Sequence, residues 1–253
     1  MAVNLVWWMY EVVIVMPTYN EAENIRKVIP RLLQILEESG MHGYILVVDD
    51  SSPDGTAEIA EEIGKETGLV GVLKRPRKLG LGSAYIDGFK HVIENIRTVE
   101  YVCEMDADGS HPAEILPEMV ALAERERYDV IIASRYINSG RWEEKSLIRR
   151  IISRGANLLA RLSTGINVRD LTSGYRVIRL SMLKRVLEKL SELNSGYVFQ
   201  VELIHLLNKA GARIGEYPLI FKPRMYGRSK LGKREIISFA SWCIKNLMRR
   251  WIP

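Results

Sequence analysis

The chain has 253 residues, 47% hydrophobic and 26% charged, with a net charge of +5. That balance is ordinary for a soluble globular chain of one or two domains, and no apolar run reaches the length of a membrane span. Cys103 and Cys243 lie far apart, which reads as two reduced, buried thiols rather than a disulfide or a metal pair.

The net charge hides a split. Residues 1–140 hold 13 basic and 23 acidic side chains, net −10; residues 141–253 hold 23 and 8, net +15. A basic half of this size faces an anion: nucleic acid, a lipid headgroup or a phosphorylated substrate.

In chain order, the apolar stretch AVNLVWWMYEVVIVMPTYN is cut by Glu11 and Pro17. It lacks a basic n-region and a small-residue cleavage site, so it does not read as a signal peptide. EVVIVMP (11–17) predicts a buried strand, followed by a helix closed by Gly40. YILVVDD (44–50) predicts a strand and 54–67 a helix with Asp54 as its cap. LVGVLKR predicts a short strand and 81–97 a helix. VEYVCEMDAD predicts a strand, 112–126 a helix and YDVIIASRY a strand. Continuous Val/Ile runs, each followed by a helix-length segment, predict an α/β domain with a parallel sheet and helices on both faces. Polar residues that end those runs fall at the carboxyl edge of the sheet, where such sheets bind ligands.

After 136 the rhythm breaks. INSGRWEEKS reads as a loop; 146–163, 181–190, 197–210 and 232–252 read as helices. Residues 175–180 and 213–223 read as extended. With no internal repeat, low-complexity tract or linker, we expect a domain over 1–231 and an appended helix over 232–253.

Three clusters carry candidate chemistry. MDADGSHP holds Asp106 and Asp108, a pair suited to Mg²⁺ or Mn²⁺; the competing reading is a helix cap and turn. VVDDSSPDGT holds Asp49 and Asp50, placed to accept hydrogen bonds from a nucleotide's base or ribose, or else simple turn chemistry. PTYNEAENI turns from strand to helix through Pro17, Tyr19 and Glu21; the helix start suits an anion and Tyr19 a base. Gly80 and Gly82 fit only part of a dinucleotide fingerprint, after the third strand rather than the first. His111 beside Pro112 reads as a structural group rather than a base. Arg135, Arg169, Arg224 and Lys230 sit beside turn signals and suit phosphate oxygens.

Together these stretches, with KLGLGSAYIDG, ASRY, RRIISRGANLLARL, DLTSGYRV, GYVFQVELI, GEYPLIF and RMYGRSKLG, resemble the dolichyl-phosphate mannose synthases. That family is a branch of the inverting glycosyltransferases of GT-A fold, which implies a mostly parallel, Rossmann-like sheet with helices on both faces. The likeness runs from 16 to 232. It implies GDP-mannose as donor and dolichyl or another polyprenyl phosphate as acceptor. The product would be a β-linked lipid mannosyl phosphate, a donor for protein glycosylation and GPI anchor synthesis. It places Pro17, Tyr19, Glu21, Val48, Asp50 and Ala107 around the nucleotide, and Asp106 and Asp108 on the metal. Arg135, Arg169, Ser173, Arg224 and Lys230 match positions that hold donor and acceptor phosphates, with Asp108, Arg135 and Arg224 closest to the chemistry. Two departures stand out: Ser110, where some relatives carry a metal-ligating Gln, and Arg228, where many carry Glu.

The resemblance also implies a membrane. Read at helical spacing, Ile236, Ala240, Cys243, Ile244, Leu247 and Trp251 form an apolar face of the last helix, opposite Arg234, Ser238, Ser241, Lys245 and Arg249. Such a basic amphipathic helix fits a membrane interface or a small transmembrane partner subunit. The 146–163 helix has the same character and fits the interface and the sheet equally well. The expected location is peripheral, on the cytoplasmic face of the reticulum in a eukaryote or of the plasma membrane in an archaeon. Three alternatives remain open: transfer of glucose or an N-acetylhexosamine from GDP or UDP, a non-catalytic sugar-nucleotide-binding subunit, and a nucleic-acid binder. The last lacks the aromatic–basic interleaving it needs, so no nucleic-acid partner is expected.

Overall fold

The computed structural model describes residues 10–96, 98–143, 147–190, 192, 193, 196–226 and 232–251, with backbone alone at 233, 234, 250 and 251. The first half alternates as expected: β1 (Tyr10–Thr18), α1 (Ala22–Glu38), β2 (Gly43–Asp49), α2 (Thr56–Thr67), β3 (Val70–Lys74), α3 (Leu81–Asn95) and β4 (Val99–Glu104). A single 3₁₀ turn leads into α4 (Leu116–Glu126) and then β5 (Val130–Ser134). The second half holds β6 (Arg141–Trp142), α5 (Leu147–Thr164), β7 (Arg176–Arg179), α6 (Leu180–Leu190) and α7 (Phe199–Lys209). It ends in β8 (Ile214–Pro218), β9 (Ile220–Phe221) and α8 (Lys233–Trp251).

Seven strands form one sheet in the order β3-β2-β1-β4-β7-β5-β8. Every neighbouring pair is parallel except those made by β7, which runs against both β4 and β5. The sheet is thus mostly parallel, as the resemblance implies. Arg176, the first residue of β7, pairs with Glu104 at the end of β4, so the Gly165–Tyr175 segment feeds β7 into the sheet from its carboxyl edge.

Alternation along the strands divides the core in two. Val13, Val15, Leu46, Val48, Val102 and Ile132 face Tyr85 and Phe89 of α3 and the helices α6 and α7. Val12, Ile14, Met16, Ile45, Val47 and Cys103 face α1 and α4. Each buried apolar side chain contributes about 1.5–3 kcal/mol. On the first face α3 approaches closely: a Cβ at Gly88 would lie 2.5 Å from Val15 Cγ1. The register pairs Thr18 with Asp49 and Val15 with Glu104, which aligns the ends of β1, β2 and β4 at one edge.

The last helix is built into the domain. Phe239 and Cys243 are buried in the core, and Asn246 donates to the Ser163 carbonyl of α5. Cys243 therefore turns inward, while Ile236 and Ile244 of the same expected face stay exposed. The α5 helix buries only Asn157, Ala160 and Ser163, and Ile148, Ile151, Leu158 and Leu162 remain exposed. Among the described residues no helix is long and apolar enough to cross a membrane.

Candidate active site

The chain leaves β4 at Glu104 and turns through Met105–Ser110. Met105 and Ala107 drop into the core, while Asp106 is half-buried and Asp108 is buried. Ser110 donates both its N–H (2.9 Å) and its hydroxyl (2.5 Å) to Asp108 Oδ1. Ser110 thus orients Asp108 rather than offering its own oxygen to a cation. Burial first, then the neighbouring Asp108, push the Asp106 carboxyl up to about 7. Tyr85 donates its hydroxyl to Asp106 at 3.4 Å. The donor set fits a hard divalent cation, because two carboxylates share one turn and the cation relieves their repulsion.

His111 is oriented by the same turn. Its Nδ1 accepts the Asp106 N–H at 3.0 Å, its ring stacks on Tyr175, and burial pulls its pKa down to about 4. It is therefore neutral, with the remaining proton on Nε2. That fits the structural reading made from sequence.

A strap closes over the turn. Arg224 lies 2.9 Å from Asp108 Oδ2 and 3.5 Å from Glu21 Oε1. The Met225 N–H donates to the Asp108 carbonyl, and Lys27 donates to the Tyr226 hydroxyl. Gly109 permits this approach: its φ is +77°, and a Cβ there would lie 2.2 Å from Met225 Cε.

The neighbouring strand ends are occupied by internal bonds. Asp50 accepts from Arg75 (2.6 Å) and from the N–H groups of Leu79 and Gly80, so it shapes the 75–80 loop. The N–H groups of Glu21 and Ala22 donate to Thr56 Oγ1 and Asp54 Oδ2. These two donors at the start of α1 are thus taken by the protein. Asp54 accepts from Thr56 as well, although the residue before α2 is Gly55. Tyr19 lies under the Lys78 ammonium, 4.2 Å from its ring centre.

A cavity of about 120 Å³ opens beside Asp106. Across it stand Arg135, Thr172, Ser173, Gly174, Tyr197 and Gln200. Arg135 binds Asp170 through Nε and Nη2, both at 2.7 Å, and donates again from Nη2 to Thr172. Its Nη1 makes no hydrogen bond among the described residues. Burial alone would raise the Asp170 carboxyl, but Arg135 outweighs it and holds the carboxyl below its ordinary range. Trp142 and Phe221, brought by the short β6–β9 pair, cover the guanidinium at 5.0 and 5.5 Å. Below lies a second buried pair, Arg176 with Glu104 at 3.2 Å, in which burial pushes Glu104 up to about 7.

The structure thus brings Glu21, Asp108 and Arg224 into contact, and Asp106, Arg135 and Ser173 around one cavity. Val48 is fully buried in the core, so only its backbone is available to a ligand; the same holds for Ala107. Pro17 is half-buried at the end of β1. Arg169 is exposed and lines a separate groove with Tyr136, Arg154 and Arg161. Lys230 and Arg228 lie outside the described residues. Sequence reading missed Asp170 and Gln200; their signals were an acid inside the turn DLTSG and a polar residue inside the run YVFQVELI.

Residues 13–187 match the family model Glycosyl transferase family 2. An undecaprenyl-phosphate mannosyltransferase of Micrococcus luteus is 36% identical over 95% of this chain and 96% of its own. A polyprenol monophosphomannose synthase of Mycolicibacterium smegmatis is 34% identical over 94% and 88%. Among solved structures, glucosyl-3-phosphoglycerate synthase of Mycobacterium tuberculosis with Mn²⁺ and UDP-glucose superposes with a TM-score of 0.66. It is 19% identical over 96% of this chain and 80% of that one. The mannosyltransferase PcManGT of Pyrobaculum calidifontis, with GDP-Man and Mn²⁺, gives 0.61 at 15% identity over 97% and 65%. The sheet and its flanking helices are the GT-A arrangement expected from the sequence.

Proposed function

The chain belongs to glycosyl transferase family 2, and from that membership we propose that it transfers mannose from GDP-mannose to a polyprenyl phosphate, dolichyl or undecaprenyl. The observation that carries the reading is the single cavity lined by Asp106 on one side and Arg135, Thr172 and Ser173 on the other. A diphosphate leaving group and a phosphate nucleophile need a cation-binding pole and an anion-binding pole that near to each other.

Asp106 and Asp108 are the residues that would hold Mg²⁺ or Mn²⁺, and the ion when bound would offset the charge on the departing diphosphate. Arg224, tied to Glu21 and Asp108, is the cation that the strap would offer to that diphosphate. Arg135 offers Nη1, and Ser173 its hydroxyl, to the acceptor phosphate. That phosphate is largely dianionic at neutral pH, with a second pKa near ~6. It needs no strong base, which agrees with a His111 whose basicity is lowered by burial and whose Nδ1 is taken by the Asp106 N–H. Direct attack by the phosphate oxygen inverts the donor and gives a β-linked product.

We also propose a peripheral membrane location. Ile148, Ile151, Leu158 and Leu162 are exposed on α5, and Ile237 and Met248 on α8. Leu158 also lines the groove of Arg154, Arg161 and Arg169. That combination suits acyl chains below and phosphate headgroups above.

The test is a donor panel of GDP-mannose, GDP-glucose, UDP-glucose and UDP-N-acetylglucosamine, each with a polyprenyl phosphate in detergent and Mn²⁺. The proposal expects labelled lipid from GDP-mannose. Label from another donor alone, or none from any, overturns it.

A further inference from the structure

Gln200, in the first turn of α7, is 2% exposed and lines the cavity between Asp106 and Arg135. Neither its amide nitrogen nor its amide oxygen has a hydrogen-bond partner among the described residues. An orphaned buried amide is costly, and native chains rarely keep one without a use. The surroundings hold it rigidly: the adjacent Phe199 is fully buried and stacks on Tyr85 with ring centres 5.8 Å apart. Opposite it the backbone leaves room. A Cβ at Gly174 would lie 3.4 Å from Gln200 Nε2 and 3.9 Å from Asp106 Oδ2, with no closer contact. The missing methyl is thus space inside the cavity, bounded by the amide and a carboxylate.

We infer that Gln200 is a specificity-determining residue that reads hydroxyl groups of the transferred hexose. Chemistry selects the ligand. An amide presents donors and an acceptor side by side, and a sugar hydroxyl both donates and accepts. A phosphate only accepts, so it would leave Oε1 orphaned against an anion. A cation would take Oε1 and leave Nε2 orphaned. Hydroxyls satisfy both ends, and the half-buried Tyr197 and Phe221 offer a wall for the C–H face of the ring. The inference rests on the proposed hexosyl transfer and adds the residue that tells one hexose from another.

The experiment uses the full chain and the variants Gln200→Leu and Gly174→Ala. It measures Kd for GDP and for GDP-mannose with Mn²⁺, kcat/KM for GDP-mannose and GDP-glucose, and Tm. For Gln200→Leu we expect kcat/KM with GDP-mannose to fall about 10- to 100-fold, the loss of one or two hydrogen bonds. The preference between the two hexoses should shrink toward unity, GDP and Mn²⁺ affinity should hold within about twofold, and Tm should stay or rise, since two orphaned polar atoms leave the interior. Gly174→Ala should weaken GDP-mannose while sparing GDP. An unchanged hexose preference overturns the inference. So does equal loss of GDP and GDP-mannose binding, or a Tm that falls together with activity. A wild type that favours another nucleotide hexose overturns the donor assignment alone; the Gln200 ratio is then read with that donor and its epimer. The ratio of GDP to GDP-mannose affinity needs no turnover, and a wild type that binds both equally overturns the role of Gln200.

Discussion

Arg135 grips Asp170 with two bonds of equal length, Nε to Oδ2 and Nη2 to Oδ1, each 2.7 Å. Asp170 is fully buried, so the pair is worth little as a net gain yet is costly to break from one side. Asp170→Asn should destabilise the fold by about 3–5 kcal/mol, measured by urea unfolding. The pH dependence has a definite sign. The folded carboxyl sits below its ordinary range, so its contribution is complete above the unfolded pKa, near ~4, and is lost as pH falls through the folded value. The variant's stability should therefore change less with acid than the wild type's. Arg135→Lys should fold but raise KM for the acceptor phosphate, because an ammonium cannot hold Asp170 with a fork and still present a free donor.

His111 is held neutral by burial, with a pKa pulled down to about 4. Between that value and its unfolded pKa of about 6.5 the unfolded chain binds more protons, so this group makes stability rise with pH in that window. NMR titration of the ring should show no midpoint between pH 5.5 and 8. A midpoint near 6.5 would mean that the ring is solvated and that the Asp106 N–H bond is absent.

Much of this was legible in the sequence, and the reasons for the rest are physical. The strands of the first half announced themselves because both faces are buried, which forces continuous Val/Ile runs. Strand β7 was read as extended, but its direction was not, since RVIR carries no mark of which way it runs. Its Arg176 is tolerated in the core only through Glu104, 72 residues earlier. Asp106 and Asp108 were found because their signal is local, two acids at the end of an apolar run. Asp170 was missed because its partner lies 35 residues away. Asp50 was read as facing a ligand; its bonds to Arg75, Leu79 and Gly80 depend on a loop whose path no local pattern gives.

Gly109 should be intolerant of side chains. Its φ of +77° disfavours any Cβ, and the added carbon meets Met225. Gly109→Ala should cost about 1 kcal/mol in strain and displace the strap that carries Arg224. The expected result is a higher KM for the nucleotide sugar with a smaller change in acceptor KM. An unchanged donor KM would separate the strap from donor binding.

The exposed face of α5 should matter only at a membrane. Ile148 and Ile151 are 71% and 69% exposed, so changing both to Asp removes little packing. The double variant should keep the wild-type Tm and its affinity for GDP-mannose, yet float poorly with anionic liposomes. Full retention of flotation would point to another surface.

The central claim is transfer that needs the Asp106–Asp108 turn, and its most direct measurement is labelled mannose appearing in polyprenyl phosphate from GDP-mannose. The assay compares wild type and Asp108→Ala, with Mn²⁺ and with EDTA. The account predicts labelled lipid from wild type with metal, loss with EDTA, and a fall of at least ~100-fold in the variant. Undiminished transfer in EDTA, or by Asp108→Ala with metal, would contradict it.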